Sequence, residues 1–286
     1  MKRVATLTLL GLSLGVSVGC GEKPPPIIQA KPIEKEKAPD LELKPPPKPE
    51  ASDPEAKKIL GEMLAAHTGG QPDKLASLRE CTFTRKGLAD TPVGRLNAVW
   101  KRDLIWPDRY RIRLETSDTA GNKTTQTYAL KGDAGWFQLG DDPNPKSKLA
   151  AGVVANVRSQ FHEDCVTLLA VLADPKTLVA RAIDEKLNDK LLTTLDVWTP
   201  TGDHARLGID PQTKLLTRVV YVGVEAESQT SSYSVTKELT FQEYKEFGGV
   251  KLGSKVYVKT RSKALGEWTE LTVEIAKPDP KVFDGP

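Results

Sequence analysis

From about residue 77 to residue 276 apolar side chains recur at every second position, and that period constrains the fold more than any other feature of the sequence. Successive side chains of a strand point to opposite faces, so alternation means a half-buried strand, whereas a helix needs apolar residues at three-to-four spacing. Tyr110, Ile112 and Leu114 alternate with Arg109, Arg111 and Arg113, and Leu96, Ala98 and Trp100 alternate with Arg95, Asn97 and Val99. Each of these strands has one dry face and one wet one. Further strands are expected at 77–86, 122–131, 134–139, 176–183, 189–198, 204–210, 214–224, 234–245, 250–261 and 267–276, with turns such as Pro200-Thr201-Gly202-Asp203 between them. Short connections between neighbouring strands favour an antiparallel meander over βαβ units.

Two segments break the period. Asp53-Pro54 reads as an N-cap with proline at the first helical position, and Ala56, Ile59, Leu60, Met63 and Leu64 follow as one apolar stripe that Gly69-Gly70 ends. His67, at the end of that helix, reads as a capping or charge–dipole group. Leu149 to Leu172, with Val153, Val157, Phe161, Leu168 and Leu172, is helical in period and closes at Asp174-Pro175. These two helices are the only candidates to cover the dry face of a large sheet.

The chain ahead of residue 53 has a different character. Lys2 and Arg3 precede an apolar run from Leu7 to Val18 that is too short to span a bilayer as a helix. Such a run after a charged start reads as a cleavable secretory signal over 1–19. Ser17-Val18-Gly19-Cys20 resembles the bacterial lipobox, with Ser17 where leucine is usual, and implies that Cys20 becomes an acylated N-terminus. Residues 21–50 then hold nine prolines, six basic and six acidic residues and no aromatic residue. A segment of that composition cannot bury enough apolar surface to offset the entropy of ordering it. As extended polyproline it reaches about 90 Å at most. The expected organisation is therefore a signal at 1–19, a lipidated and disordered tether at 20–52, and one β-rich domain at 53–286.

Charge and residue types exclude several function classes. Without Lys2 and Arg3 the formal net charge of +3 falls to +1, and basic residues are interleaved with acids, so nucleic-acid binding is not expected. Beyond Cys20 the cysteines are Cys81 and Cys165, read either as separate buried thiols or as a pair that geometry would have to bring together. His162-Glu163-Asp164-Cys165 is the one place where nucleophile and base types crowd together, with His162 and Cys165 three apart on one helix face. No nucleophile turn, metal-ligand spacing or glycine-rich phosphate loop accompanies it, so no enzyme, metal or cofactor is expected.

Certain motifs resemble those of the LolA/LolB-like family of bacterial envelope proteins, which includes lipoprotein-sorting carriers and related lipid-binding sensor domains. Ile209-Asp210-Pro211-Gln212-Thr213-Lys214-Leu215 is similar to its strand-turn-strand, and Tyr244 to Leu252 to its tyrosine-glycine-valine-lysine-leucine hairpin, with Gly253 where the family has proline. Tyr128 to Trp136 and Val282 to Pro286 resemble its Gly-Trp hairpin and its closing phenylalanine segment. The resemblance implies an α+β fold, mainly β. Its curved antiparallel sheet of about eleven strands forms an incomplete barrel around an N-terminal and a mid-chain helix. It further implies a cavity for a lipid or the acyl chains of a lipoprotein, for which Trp100, Tyr110, Ile112, Leu114, Trp136, Leu207 and Ile209 are the candidate lining, each equally serviceable as core. A tethered form suits reception or sensing at one membrane better than shuttling. Gly21 lacks the Asp that holds such lipoproteins at the inner membrane, which favours the outer membrane, facing the periplasm. The other reading is a structural or docking domain for another envelope protein, with no ligand.

Overall fold

The computed structural model describes residues 44–91, 94–141, 145–226, 232–260 and 263–285. The expected signal sequence, Cys20 and the first part of the tether lie outside the described residues.

The first helix, α1 (Pro54–Thr68), begins where the cap predicts: the Asp53 carboxylate accepts from the Glu55 and Ala56 amides at 2.8 and 3.2 Å. Its buried stripe is Ala56, Leu60, Met63 and His67, one side chain per turn. A 3-10 segment (Pro72–Arg79) buries Leu75 and Leu78 and leads into the sheet.

The strands are β1 (Glu80–Thr91), β2 (Gly94–Ile105), β3 (Arg109–Ser117), β4 (Lys123–Lys131), β5 (Ala134–Leu139), β6 (Ser147–Lys148), β7 (Leu178–Arg181), β8 (Glu185–Leu187), β9 (Lys190–Trp198), β10 (His204–Ile209), β11 (Leu216–Ala226), β12 (Ser232–Phe247), β13 (Val250–Thr260) and β14 (Lys263–Glu274). They pair antiparallel in the order β6-β5-β4-β3-β2-β1-β14-β13-β12-β11-β10-β9-β7, with β8 on β9. Fourteen strands exceed the expected eleven or so because β6, β7 and β8, of two to four residues, add short pieces at the margins of eleven longer strands. The topology is a meander with two exceptions: β7 pairs with β9 past β8, and β1 pairs with β14, so early and late parts of the chain meet in the middle of the sheet.

The mid-chain helical region departs from the single helix expected over 149–172. It comprises α2 (Ala151–Ser159), a 3-10 turn (Gln160–Glu163) and α3 (Cys165–Leu172). Asp164 breaks it, with φ −149° and ψ 142°, and its carboxylate caps α3 by accepting from the Val166 amide at 2.9 Å. An aspartate favours that role because its oxygen takes one of the amides that a helix start leaves unbonded. His162 and Cys165 therefore do not share a helix face.

Curvature follows from what the helices touch. α2 packs against both β4 and β11, strands far apart in the sheet order, so the sheet bends around it. α1 lies on β7 and β13, and α3 on β13 and the 72–79 turn. The sheet's concave face and these helices enclose one core that includes Tyr110, Leu168, Leu207, Ile209 and Trp268. This is an open, curved antiparallel sheet around helices, the LolA-like arrangement that the resemblance implies. Among the described residues no helix is long and apolar enough to cross a membrane.

Candidate functional site

The register turns the concave face into a grid. Along β2 the inward residues are Ala98, Trp100, Arg102 and Leu104, and opposite them on β3 stand Thr116, Leu114, Ile112 and Tyr110. The next strands continue the rows: Phe83 and Arg85 of β1 lie beside Arg102 and Trp100, and Tyr128 and Gln126 of β4 beside Ile112 and Leu114. Thr91, Gly94, Ser117 and Lys123 fall at one end of this grid and Leu104 and Tyr110 at the other.

Between the grid and the 160–163 turn lies a cleft of about 50 Å³. Its walls are Trp100, Ile112, Leu114, Tyr128, Val258 and Trp268, with the two indoles 5.0 Å apart. Gln160 and Glu163 close it from the helical side, while Thr91, Thr116 and Leu265 lie toward the Ser117 end of the grid. Of the residues expected to line a cavity, Trp100, Ile112 and Leu114 do so. Tyr110 sits one rung deeper, fully buried against Phe161 at 4.3 Å. Leu207 and Ile209 of β10 pack in the core away from the cleft. Trp136 pairs with Ala129, out of phase with inward-facing Tyr128, so it lies on the opposite face of the sheet. There its indole N–H donates to the Phe283 carbonyl at 3.1 Å, and Lys146 covers its ring. Trp136 therefore covers the closing segment and not the cleft.

Beneath the cleft is a buried charge cluster that strand alternation alone did not single out. Glu163 accepts from Lys237 Nζ at 2.7 Å and from the Tyr221 hydroxyl at 3.0 Å, and its second oxygen stands 3.5 Å from Arg102. Burial alone would raise its carboxyl pKa, but the cations of Lys237 and Arg102 reverse this and hold it below the usual range. Asp164 is forked by Arg85, whose Nη1 and Nη2 also donate to the carbonyls of Ser254 and Gly253 at 3.0 and 2.9 Å. Glycine at 253 leaves room for β12, since a Cβ there would stand 2.9 Å from Phe241 Cβ. A signal for these cations was present in the sequence, because Arg85 and Arg102 occupy inward positions of strands that are otherwise dry on that face.

The crowded segment is thus a set of separate anchors. The His162 ring stacks on Tyr221 at 5.1 Å, while Cys165 lies against Arg85 and the Gly253 carbonyl. Burial, with Asp164 beside it, pushes the Cys165 thiol up to about 12, so it is protonated at neutral pH and a poor nucleophile. Cys81 and Cys165 are both free and buried. Among the described residues no three His, Cys, Asp or Glu side chains converge as metal ligands would.

His67 is not the surface cap that its place in the sequence suggested. It is fully buried, and its two nitrogens face the Lys251 carbonyl at 2.5 Å and the Leu216 amide at 3.1 Å. Since the Leu216 amide must donate, Nε2 accepts and Nδ1 carries the proton. The neutral ring fastens α1 to β13 and β11.

No protein-family model and no curated protein matches the chain. Solved structures similar to it include a LolA superfamily protein from Nitrosomonas europaea, at 10% identity and TM-score 0.48 over 80% of this chain and 97% of that one. A DUF1329 family protein from Desulfovibrio piger is similar at 11% identity and TM-score 0.47, over 82% of this chain and 98% of that one. At such identity the likeness concerns the fold and carries nothing about a ligand.

Proposed function

We propose that this chain is a lipid-anchored envelope protein that binds a hydrophobic ligand, a lipid or the acyl chains of a lipoprotein, in the cleft between the concave sheet and the 151–172 region. The observation that carries this reading is the cleft itself, where two tryptophans in ring contact and aliphatic side chains from β3, β13 and β14 line a gap that the core does not fill. Apolar walls extract about 0.8 kcal/mol for each methylene removed from water. At about 50 Å³ the cleft is smaller than the ~150 Å³ that admits benzene in an apolar cavity. A chain therefore enters as the 160–163 turn moves away from β2, parting Glu163 from Arg102 while Lys237 and Tyr221 keep their hold on it. Anchoring through Cys20, by preference at the outer membrane, confines the domain within the reach of its tether and suits it to receive or sense ligand there.

The same small volume favours a second reading, a docking domain whose core is complete without ligand. Lipid extraction and native mass spectrometry of the protein purified without detergent separate the two. Stoichiometric co-purifying lipid is expected. A lipid-free protein that also fails to take up an added acyl probe overturns the ligand reading. Cys20→Ala is expected to move the protein from the membrane to the soluble fraction of the envelope, and an unchanged membrane fraction would remove the anchor from the proposal.

A further inference from the structure

At the Trp100 wall of the cleft and in the rungs just behind it, three neighbouring side chains present hydrogen-bond donors that nothing among the described residues accepts. They are Trp100 Nε1, both terminal nitrogens of Arg102 and the Tyr110 hydroxyl, all buried. Trp100 and Arg102 are successive inward residues of β2, and Tyr110 stands two positions from Ile112, which is Arg102's partner on β3. Arg102 is 1% exposed, and its guanidinium lies 3.7 Å from the centre of the Trp100 ring. The Trp100 ring in turn lines the cleft. Among the described residues Arg102 has one ionic contact, the Glu163 oxygen at 3.5 Å, too long for a hydrogen bond, while the other oxygen of Glu163 is taken by Lys237 and Tyr221.

A buried polar group without a partner is costly, and a buried charge more so. Four such atoms on neighbouring residues, each able to donate, form a recognisable pattern: they match one acceptor-rich group. A guanidinium fork presents parallel N–H bonds at the spacing of carboxylate oxygens, and a phenol and an indole N–H reach the remaining lone pairs. A doubly charged phosphate would call for more cations than one arginine already sharing Glu163. The rest of the cleft is apolar and narrow, which suits one hydrocarbon chain.

Resting on the hydrophobic-ligand reading, we infer that Arg102, Tyr110 and Trp100 form a carboxylate site, and that the cleft takes a single-chain fatty acid head first. Its acid group docks on Arg102, and its tail runs past Leu114 and Trp268 toward Thr91 and Leu265. The acid completes the bonding of the three residues, and Glu163 stays held by Lys237 and Tyr221.

Titration of the tethered full-length chain with dodecanoate and with dodecanol, followed by tryptophan fluorescence and calorimetry at neutral pH, tests this. Dodecanoate is expected to bind at least about tenfold more tightly than dodecanol, the size of a charge-assisted bond. Arg102→Met, with folding checked by circular dichroism, is expected to abolish that preference by weakening dodecanoate at least about tenfold, since only the acid uses the charge. Tyr110→Phe, which removes a single hydroxyl, should narrow the preference about threefold and serves also if Arg102→Met does not fold. Equal binding of acid and alcohol by the unmodified protein overturns the carboxylate site and leaves the hydrophobic cleft standing. Failure of both probes to bind overturns the two together, and an acid preference that survives in Arg102→Met assigns the acid to another site.

Discussion

In the arm of the sheet from β11 to β13, the buried side-chain polar groups among the described residues are bonded to capacity. His67 spends its one donor on Lys251 and its one acceptor on Leu216, and Tyr244, beside its ring, donates to the Leu216 carbonyl. In the arm from β1 to β4, Arg102, Trp100 and Tyr110 sit as deep and keep four donors free. Both arms bury polar atoms to the same degree, so depth does not distinguish a fastening from a receptor; the state of their hydrogen bonds does. Arg85 and Arg102 make the contrast within neighbouring strands, one guanidinium forked to Asp164 and two carbonyls, the other stacked on an indole with one distant ion contact.

That comparison can be broken in three ways. The largest effect is expected from Asp164→Ala, which strands the buried Arg85 and removes the cap of α3. Urea unfolding should report a loss of about 3–5 kcal/mol, and a loss under about 1 kcal/mol would mean that the fork is not a fastening. Next comes acid. Burial lowers the His67 pKa to about 4, the Lys251 bond only partly offsetting it, against about 6.5 for an unfolded histidine. Between those values the unfolded chain binds the proton and the folded one does not, so stability is complete above about pH 6.5 and declines as pH falls toward 4. The decline from this group is roughly 3 kcal/mol, with buried His162, also lowered, acting in the same direction. A flat urea midpoint between about pH 7 and pH 4.5 would show that the ring is not locked neutral. The smallest change is expected from Arg102→Met, because an apolar replacement of similar length removes a poorly bonded buried cation while Glu163 keeps Lys237 and Tyr221. Stability should stay within about 1 kcal/mol of the parent or rise, and a loss as large as that from Asp164→Ala would erase the distinction between the two arginines.

Alternation made the sheet readable from sequence because a half-buried strand must bury every second side chain. The same rule placed Trp100, Ile112 and Leu114 on one face, and the cleft lies against them. It failed for Trp136 because a hairpin partner's register, not its own apolar character, decides which face it takes, and Phe137 rather than Trp136 follows Tyr128 inward. The broken mid-chain helix was partly legible, since Asp164 is a capping residue within an apolar run. Pairing of Glu163 with Lys237, and of Asp164 with Arg85, was not, because each joins residues that only the curvature of the sheet brings together.

The pairing of β1 with β14 bears on synthesis. Thr82 meets Glu274, about 190 residues further along, so the centre of the sheet cannot close until β14 is available. Non-local pairing of that kind slows folding, because the loop must be closed before the contacts that stabilise it form. For a chain exported unfolded, as the proposed signal requires, the delay is useful: β1 has no partner on its β14 side until the last strand has followed it, and the polypeptide remains threadable for as long as it is being threaded.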